Sequence, residues 1–170
     1  NATSGAIVLV NDAVALSGDA TDIEAAFAGT ITTHTGTVTV TDSSYTVTEL
    51  KAINAGTTGD ITLNSAGVAL SGTVANIKAA FAGTVTEHTG TLEITDANTT
   101  DITATDITDI NGTNTGTITV ANAIDINGSG SEVAAAFAAI DTNTGNAPAN
   151  ITGNDYTVAQ LKAINNATTG

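Results

Sequence analysis

The chain has 170 residues, of which 17 are acidic and three are basic, so its net charge is −14 at pH 7. Nucleic acids and anionic membranes attract basic surfaces, so this charge argues against both as partners. The absence of cysteine excludes a disulfide framework. No apolar run is long enough to span a membrane and no signal peptide is recognisable, so we expect no membrane insertion. The sequence lacks an initiator Met, and we expect it to be a processed or excised piece.

Three repeats follow one another along the chain, over residues 5–58, 59–115 and 116–169. Their boundaries are marked by glycines at spacings of 54, 57 and 54 residues, namely Gly5, Gly59, Gly116 and Gly170. Further Thr-Gly pairs divide each repeat into two halves of about 27 residues. A half-repeat of this size cannot bury an apolar face alone, so we expect successive halves to stack as coils.

Short segments in which apolar and polar residues alternate follow most boundary glycines and predict β-strands. One face of these strands is aliphatic and is expected to form interior ladders: Ile7 and Leu9, Val38 and Val40, Ile61 and Leu63, Leu92 and Ile94, and Ile118 and Val120. The opposite face is mostly polar or β-branched and is expected to be exposed; it carries Val8, Thr39, Thr62, Glu93 and Thr119.

Helical patterns lie between these strands. The first half of each repeat has an apolar pair at i and i+4, which share one helical face: Ile23 and Phe27, Ile77 and Phe81, and Val133 and Phe137. In the second halves, Thr46 with Glu49 and Thr157 with Gln160 have the spacing of a capping box, which predicts a helix start at each site. The three lysines, Lys51, Lys78 and Lys162, are expected on exposed helical faces.

These patterns predict an α/β solenoid of about six coils, each with a short helix and one or two short parallel strands. We expect it to be right-handed, as parallel crossover connections almost always are. Residues 1–170 are predicted to form a single solenoid. The sequence begins NATSG and ends NATTG, which is the same place in successive repeats, and neither end resembles a polar cap. We therefore expect both ends to present strand edges.

Two histidines, His34 and His88, lie in equivalent THTG and EHTG segments. A shared metal ion is a possible reason for a repeated histidine, but two coils separate them, which corresponds to about 10 Å. Asn114 and Asn143 take the same place in other coils. We interpret both histidines as ordinary turn residues.

Acidic residues suggest a second kind of site. Asp96, Asp101, Asp106 and Asp109 cluster in the sequence and are the candidate ligands for a weak calcium site. Neither of the usual calcium-binding loop motifs is present. The leading interpretation is a solvated acidic surface. We therefore expect no cofactor, with calcium as the alternative.

Threonine makes up about a fifth of the residues. Threonine rows such as Thr37 with Thr39 and Thr117 with Thr119 suggest an ice-binding surface, but Glu93 interrupts the array. Exposed strands and helix caps give a simpler reason for high threonine content. No nucleophile with an adjacent base, no paired catalytic carboxylates and no phosphate loop are recognisable, so we expect no catalytic residues and no enzymatic activity.

The segments YTVTELKAINAGTTGDITL and YTVAQLKAINNATTG, with VALSGTVANIKAAFAGTVTEHTGTLEITD, resemble Ala/Thr-rich tandem repeats of giant secreted surface or adhesin-like proteins of bacteria, particularly cyanobacteria. The resemblance covers nearly the whole chain and implies an extracellular or cell-surface location. It implies a structural role in a self-assembling fibre, stalk, sheath or surface layer, with other copies of the chain as end-to-end partners. An adhesin that contacts cell-surface or matrix components, or a calcium-binding surface module, is the alternative.

Overall fold

The structure is a computed structural model that describes residues 5–168. Six helices alternate with ten strands along these residues. The helices are α1 (Ala20–Phe27), α2 (Val47–Gly56), α3 (Val74–Ala80), α4 (Ala104–Asn111), α5 (Gly130–Ala139) and α6 (Val158–Ala167). The strands are β1 (Leu16–Gly18), β2 (Val38–Val40), β3 (Ile61–Leu63), β4 (Leu70–Gly72), β5 (Leu92–Ile94), β6 (Asp101–Thr103), β7 (Ile118–Val120), β8 (Asp125–Gly128), β9 (Thr142–Asn143) and β10 (Ala149–Ile151).

The contacts divide the described chain into two compact units. The first contains residues 5–68 and 76–87 and holds one parallel sheet in the order β1-β2-β3. Its register places Val38 between Leu16 and Ile61, and Val40 between Gly18 and Leu63. The inward residues of successive strands therefore meet directly, as the alternation predicts.

The second unit contains residues 69–75 and 88–168 and holds two parallel sheets. One has the order β4-β5-β7-β9, and the other has the order β10-β8-β6. In the first of these sheets Leu92 pairs with Leu70 on one side and with Ile118 on the other. Every named strand pair in the described residues is parallel, and no sheet is closed.

Three of the helices in the described chain begin with a capping box. The capping boxes predicted at Thr46 and Thr157 are both present, and the structure adds a third between Ser129 and Glu132. In each box the hydroxyl accepts from the backbone N–H three residues later, which satisfies one of the unpaired donors at a helix start. These contacts confirm the predicted starts of α2 and α6.

The predicted interior residues form the core of each unit. The strand pairs from Val38 to Val120 on the aliphatic face are buried, and so are the three helical pairs that end in Phe27, Phe81 and Phe137. The prediction for the first strand is wrong. Ile7 is exposed and forms only an isolated bridge to Ile31, because no strand lies against its other edge within the described residues.

The observed architecture is thus α/β, with alternating helices and parallel strands. The single solenoid over residues 1–170, its handedness and its number of coils stay predictions. Residues 1–4, 169 and 170, which carry most of the NATSG match and the last boundary glycine, lie outside the described residues. No helix within residues 5–168 is both long enough and apolar enough to cross a membrane.

Candidate functional site

The four aspartates proposed as calcium ligands lie around β5, β6 and α4 of the second unit. Asp96 follows β5 and is nearly buried, Asp101 begins β6, and Asp106 and Asp109 lie on α4. Across residues 5–168, no group of three or more histidine or acidic side chains is arranged so that it could hold a metal ion. The structure therefore does not bring the four carboxylates together as one ligand set.

Asp96 and Asp101 each accept a hydrogen bond from another segment of the chain. Asp96 accepts a hydrogen bond of 2.7 Å from the backbone N–H of Val74, at the start of α3. Asp101 accepts from the side-chain amide of Asn127 at 3.0 Å, across the β6–β8 pair. An acidic group near a helix start also interacts favourably with the helix dipole. These two side chains connect adjacent segments of the chain.

The two histidines are buried, an environment that the sequence alone did not indicate. His34 lies 5.7 Å from the ring of Phe27, measured between ring centroids. Its Nε2 lies 2.7 Å from the carbonyl oxygen of Val14, so Nε2–H is the donor there. In the neutral ring Nδ1 then accepts, and the Thr57 hydroxyl lies 3.1 Å from it. His34 thus connects its own segment to segments before and after it.

His88 has the corresponding position in the second unit. Its Nδ1 lies 2.9 Å from Oδ1 of Asn114, which also accepts from the backbone N–H of Gly116. The Nδ2 atom of Asn114 is buried and has no hydrogen-bond partner among the described residues. Thr57 was not identified from the sequence. Like His34, His88 and Asn114, it lies two residues before the glycine of a Thr-Gly pair.

Boundary glycines allow neighbouring segments of backbone to approach closely. A Cβ atom at Gly59 would overlap the carbonyl oxygen of Gly36, and one at Gly116 would overlap that of Gly90. Any other residue at these positions would push the strands apart. The recurrent Thr-Gly pairs therefore reflect the spacing of the backbone within each unit.

Threonines of the exposed strand face pair across neighbouring strands. Thr39 pairs with Thr62 in the first unit, whereas Thr119 pairs with Glu93 and Thr142 in the second. The charged side chain therefore interrupts the row within the second unit. Whether the array binds ice stays a prediction.

Large exposed apolar side chains are confined to two short segments of the described chain. The first, which we call the N-terminal apolar surface, consists of Ile7, Val8, Val10 and Val14. The second, which we call the C-terminal apolar surface, consists of Tyr156, Val158 and Leu161. An open groove of about 710 Å³ lies beside the second and is lined by Pro148, Ile151, Val158 and Leu161 among others.

Four of the exposed residues, Ile7, Tyr156, Val158 and Leu161, have buried counterparts inside the first unit, whereas Val8 and Val10 correspond to the exposed Thr62 and Asn64. Tyr156 is 48% exposed and Val158 is 84% exposed, whereas Tyr45 and Val47, at the same positions of the first repeat, are each 3% exposed. Ile7 is 42% exposed, whereas its counterpart Ile61 is 1% exposed. The C-terminal apolar surface, and Ile7 of the N-terminal one, therefore resemble the two sides of a contact that the first unit makes internally.

That internal contact joins β2 and α2 to residues 60–68 and 76–79 of the first unit. Its backbone bonds run from Val38 N–H to the oxygen of Asp60 at 2.9 Å and from Asn64 N–H to the oxygen of Val40 at 3.0 Å. We call it the internal junction. It is the geometry against which the two apolar surfaces can be compared.

Side chains of Tyr45, which lies two residues before α2, and of α2 itself complete the internal junction. The Tyr45 hydroxyl donates to the oxygen of Ser65 at 2.7 Å. Burial, with a contribution from Asp42, raises the pKa of Tyr45 to about 12. Lys51 donates to Oδ1 of Asn76 at 2.8 Å.

The capping carboxylates are held in their ionised form. Burial alone raises the pKa of Glu49, but hydrogen bonds from Thr21 and Thr46 outweigh it and leave the pKa below its usual value. The backbone N–H and hydroxyl of Ser129 lower the pKa of Glu132. Both acids therefore stabilise their helix starts in the charged form.

Comparison with protein-family models, curated proteins and solved structures finds no match to the chain. A proposal for its function therefore rests on its own residues and contacts.

Proposed function

We propose that the chain is a right-handed α/β solenoid of about six coils and a structural, extracellular repeat protein. Its coils would stack end to end with those of other copies and build a fibre, stalk, sheath or surface layer. The observation that carries this proposal is that Ile7, Tyr156, Val158 and Leu161 are exposed, whereas their counterparts in the internal junction are buried: Ile61, Tyr45, Val47 and Leu50. We propose no catalytic role.

The repeated pattern of strand contacts supports this function. In the first unit β2 pairs in parallel with β1 on one edge and with β3 on the other. In the second unit β5 pairs in the same way with β4 and β7. Stacked repeats of this kind gain stability from each nearest-neighbour contact, so a coil added in the same register would contribute in the same way. Continuous backbone hydrogen bonds and aliphatic ladders would resist extension of the assembled object.

The negative net charge argues against binding to nucleic acids and anionic membranes. The net charge of −14 keeps separate copies apart until specific contacts form. The extracellular location belongs to the proposal and rests on the resemblance of the YTVTELKAINAGTT and YTVAQLKAINNATT segments to repeats of secreted surface proteins.

Electron microscopy with sedimentation velocity tests the structural role. At about 0.15 M salt, where the Debye length is about 8 Å, repulsion between copies is screened. We expect the chain to form elongated assemblies whose abundance rises with protein concentration. Strictly monomeric particles up to millimolar concentration would contradict the proposal.

An adhesin or calcium-binding surface module is the second candidate, because the acidic residues around β5, β6 and α4 include Asp96, Asp101, Asp106 and Asp109. Thermal melting with calcium and with EDTA distinguishes the two functions. The structural proposal predicts the same midpoint in both conditions, whereas a midpoint several degrees higher in calcium would favour the second candidate. The ice-binding alternative predicts thermal hysteresis, which the structural proposal does not.

A further inference from the structure

We propose that the C-terminal apolar surface of one copy binds the N-terminal apolar surface of a second copy, in the register of the internal junction. This inference rests on the proposed function, since it specifies the contact through which end-to-end assembly occurs. It commits to a second copy of this chain as the occupant, and the reasons are the register, the apolar match and the charges of the two surfaces.

The strand edges have the required register. β10 pairs with β8 as β2 pairs with β1, and Tyr156 follows Ala149 by seven residues, as Tyr45 follows Val38. β10 is therefore the counterpart of β2. β10 is an edge strand of its sheet. One edge of β10 pairs with β8. The other edge, which corresponds to the edge of β2 that pairs with β3, has no strand partner within the described residues.

Residues 7–9 are the counterpart of β3. Ile7 donates to the oxygen of Thr30 at 2.9 Å and accepts from the N–H of Thr32 at 3.0 Å. Ile61 makes the corresponding bonds, 54 residues later, with residues 84 and 86 at 2.8 Å each. The first segment thus forms one of the two contacts that β3 forms, and within residues 5–168 it has no contact with a β2-like strand.

Superposition of the two patterns gives the backbone contacts of the proposed joint. Ala149 N–H would donate to the oxygen of Ala6 in the second copy, as Val38 N–H donates to Asp60. Val10 N–H in the second copy would donate to the oxygen of Ile151, as Asn64 N–H donates to Val40. Both ends would thereby satisfy exposed strand edges that otherwise invite unspecific pairing.

The side chains of the joint follow from the same register. The Tyr156 hydroxyl would donate to the backbone oxygen of Asn11 in the second copy, because Asn11 is the counterpart of Ser65. Val158 and Leu161 would become buried, as Val47 and Leu50 are. Burial of these groups supplies the hydrophobic contribution to association.

Charge complementarity favours a second copy over an unrelated apolar partner. Lys162 is the counterpart of Lys51, which donates to Asn76 in the internal junction. The counterpart of Asn76 in the N-terminal segment is Asp22, so a neutral acceptor becomes a carboxylate. The joint between copies would therefore contain an ion pair where the internal junction has a hydrogen bond.

Disulfide cross-linking tests the register. The chain has no cysteine, so only introduced thiols can react. Val8 and Asn150 are exposed, and they correspond to the directly paired Thr62 and Thr39. Val8→Cys with Asn150→Cys in one chain should give covalent oligomers under mild oxidation, because paired strand positions suit disulfide geometry. Val10→Cys with Asn150→Cys is the control, shifted by two residues, and should cross-link several-fold more slowly.

Charge reversal tests the ion pair. Lys162→Glu or Asp22→Lys alone places like charges together and should weaken association by about tenfold or more in sedimentation experiments. The double variant restores opposite charges and should recover most of the wild-type association. Glu87→Lys, at another exposed acidic residue, makes the same change in net charge as Asp22→Lys and should not weaken association.

The outcomes separate this inference from the proposed function. If the wild-type chain assembles but cross-linking does not depend on register and the double variant does not recover, assembly uses another surface and this inference is overturned. If the wild-type chain stays monomeric at every concentration, both fail. Folding of each variant is checked by circular dichroism, and the exposure of positions 8, 10 and 150 makes their substitution compatible with the fold.

Discussion

The hydroxyl of Tyr45 donates a hydrogen bond of 2.7 Å to the backbone oxygen of Ser65, and both groups belong to the internal junction. Tyr45→Phe removes the donor and leaves a carbonyl without its partner, so we expect a loss of about 1–2 kcal/mol in the free energy of unfolding. Urea denaturation measures this difference.

Tyr156→Phe is the matched control for that substitution. Tyr156 has the same position in the third repeat but is nearly half exposed, so its hydroxyl can bond to water. At protein concentrations too low for assembly, we expect a change within about 0.5 kcal/mol. Equal losses for the two variants would show that the hydrogen bond to Ser65 does not account for the stability.

Alkaline pH provides an independent measurement of the same burial. The pKa of Tyr45 is raised to about 12 from an ordinary value of 10.0. Because the folded state holds the proton more tightly, the stabilisation is fully present below pH 10 and is lost as the pH rises towards 12. In the Tyr156→Phe chain, absorbance near 295 nm reports Tyr45 alone, and its titration midpoint should lie near 12. A midpoint near 10 would contradict the burial.

Gly59 illustrates a steric requirement of the strand stacking. In Gly59→Ala the new methyl group would overlap the carbonyl oxygen of Gly36, and backbone atoms cannot rotate away as a side chain can. We expect a loss of at least about 2 kcal/mol. Gly18→Ala is the control, because its methyl group would lie 3.7 Å from the nearest atom, Cγ1 of Ile23. Stability there should be unchanged or higher by up to about 1 kcal/mol.

Much of this fold could be predicted from the sequence because its units are repeated. Alternation identified the buried faces of β2, β3, β5 and β7, and the capping-box spacing identified the starts of α2 and α6. Local patterns of this kind depend on neighbouring residues only. These local patterns therefore predict secondary structure correctly however the segments stack.

The misjudged positions depend on neighbours distant in sequence. Ile7 matches the strand pattern as well as Ile61 does, and each forms an isolated bridge on one side, but within the described residues only Ile61 has a strand, β2, on the other side. His34 is polar and lies two residues before Gly36, which locally favours a turn. Its burial depends on Val14 and Thr57, about 20 residues away on either side. The sequence signal for these buried side chains was a polar residue two positions before the glycine of a Thr-Gly pair.

Acid titration should separate the capping box of α5 from other carboxylates. The lowered pKa of Glu132 means that its contribution is present above the ordinary value and is lost as the pH falls through the lowered one. Glu132→Gln keeps an acceptor oxygen but cannot ionise, as Gln160 does in the box of α6. The melting temperature of wild type should exceed that of Glu132→Gln at pH 7, and the difference should shrink as the pH falls through the lowered pKa of Glu132. A constant difference would contradict the assignment.

Asn114 offers a route to higher stability. Its Oδ1 accepts from Gly116 N–H and lies 2.9 Å from His88 Nδ1, while its buried Nδ2 has no partner among the described residues. Thr57 has the same place beside His34, and its hydroxyl accepts from Gly59 N–H at 3.0 Å.

Asn114→Thr should therefore keep both hydrogen bonds and remove an unsatisfied buried donor, a group that costs about 1–3 kcal/mol. We expect the free energy of unfolding to rise by about 1 kcal/mol, which corresponds to about 2–4 °C in melting temperature for a chain of this size. Asn114→Val is the matched control, because it has the shape of threonine but no hydroxyl group. It leaves His88 Nδ1 and Gly116 N–H without an acceptor, so it should lower stability. If Asn114→Thr were as destabilising as Asn114→Val, the hydroxyl could not replace the amide, and the equivalence of Thr57 and Asn114 would be wrong.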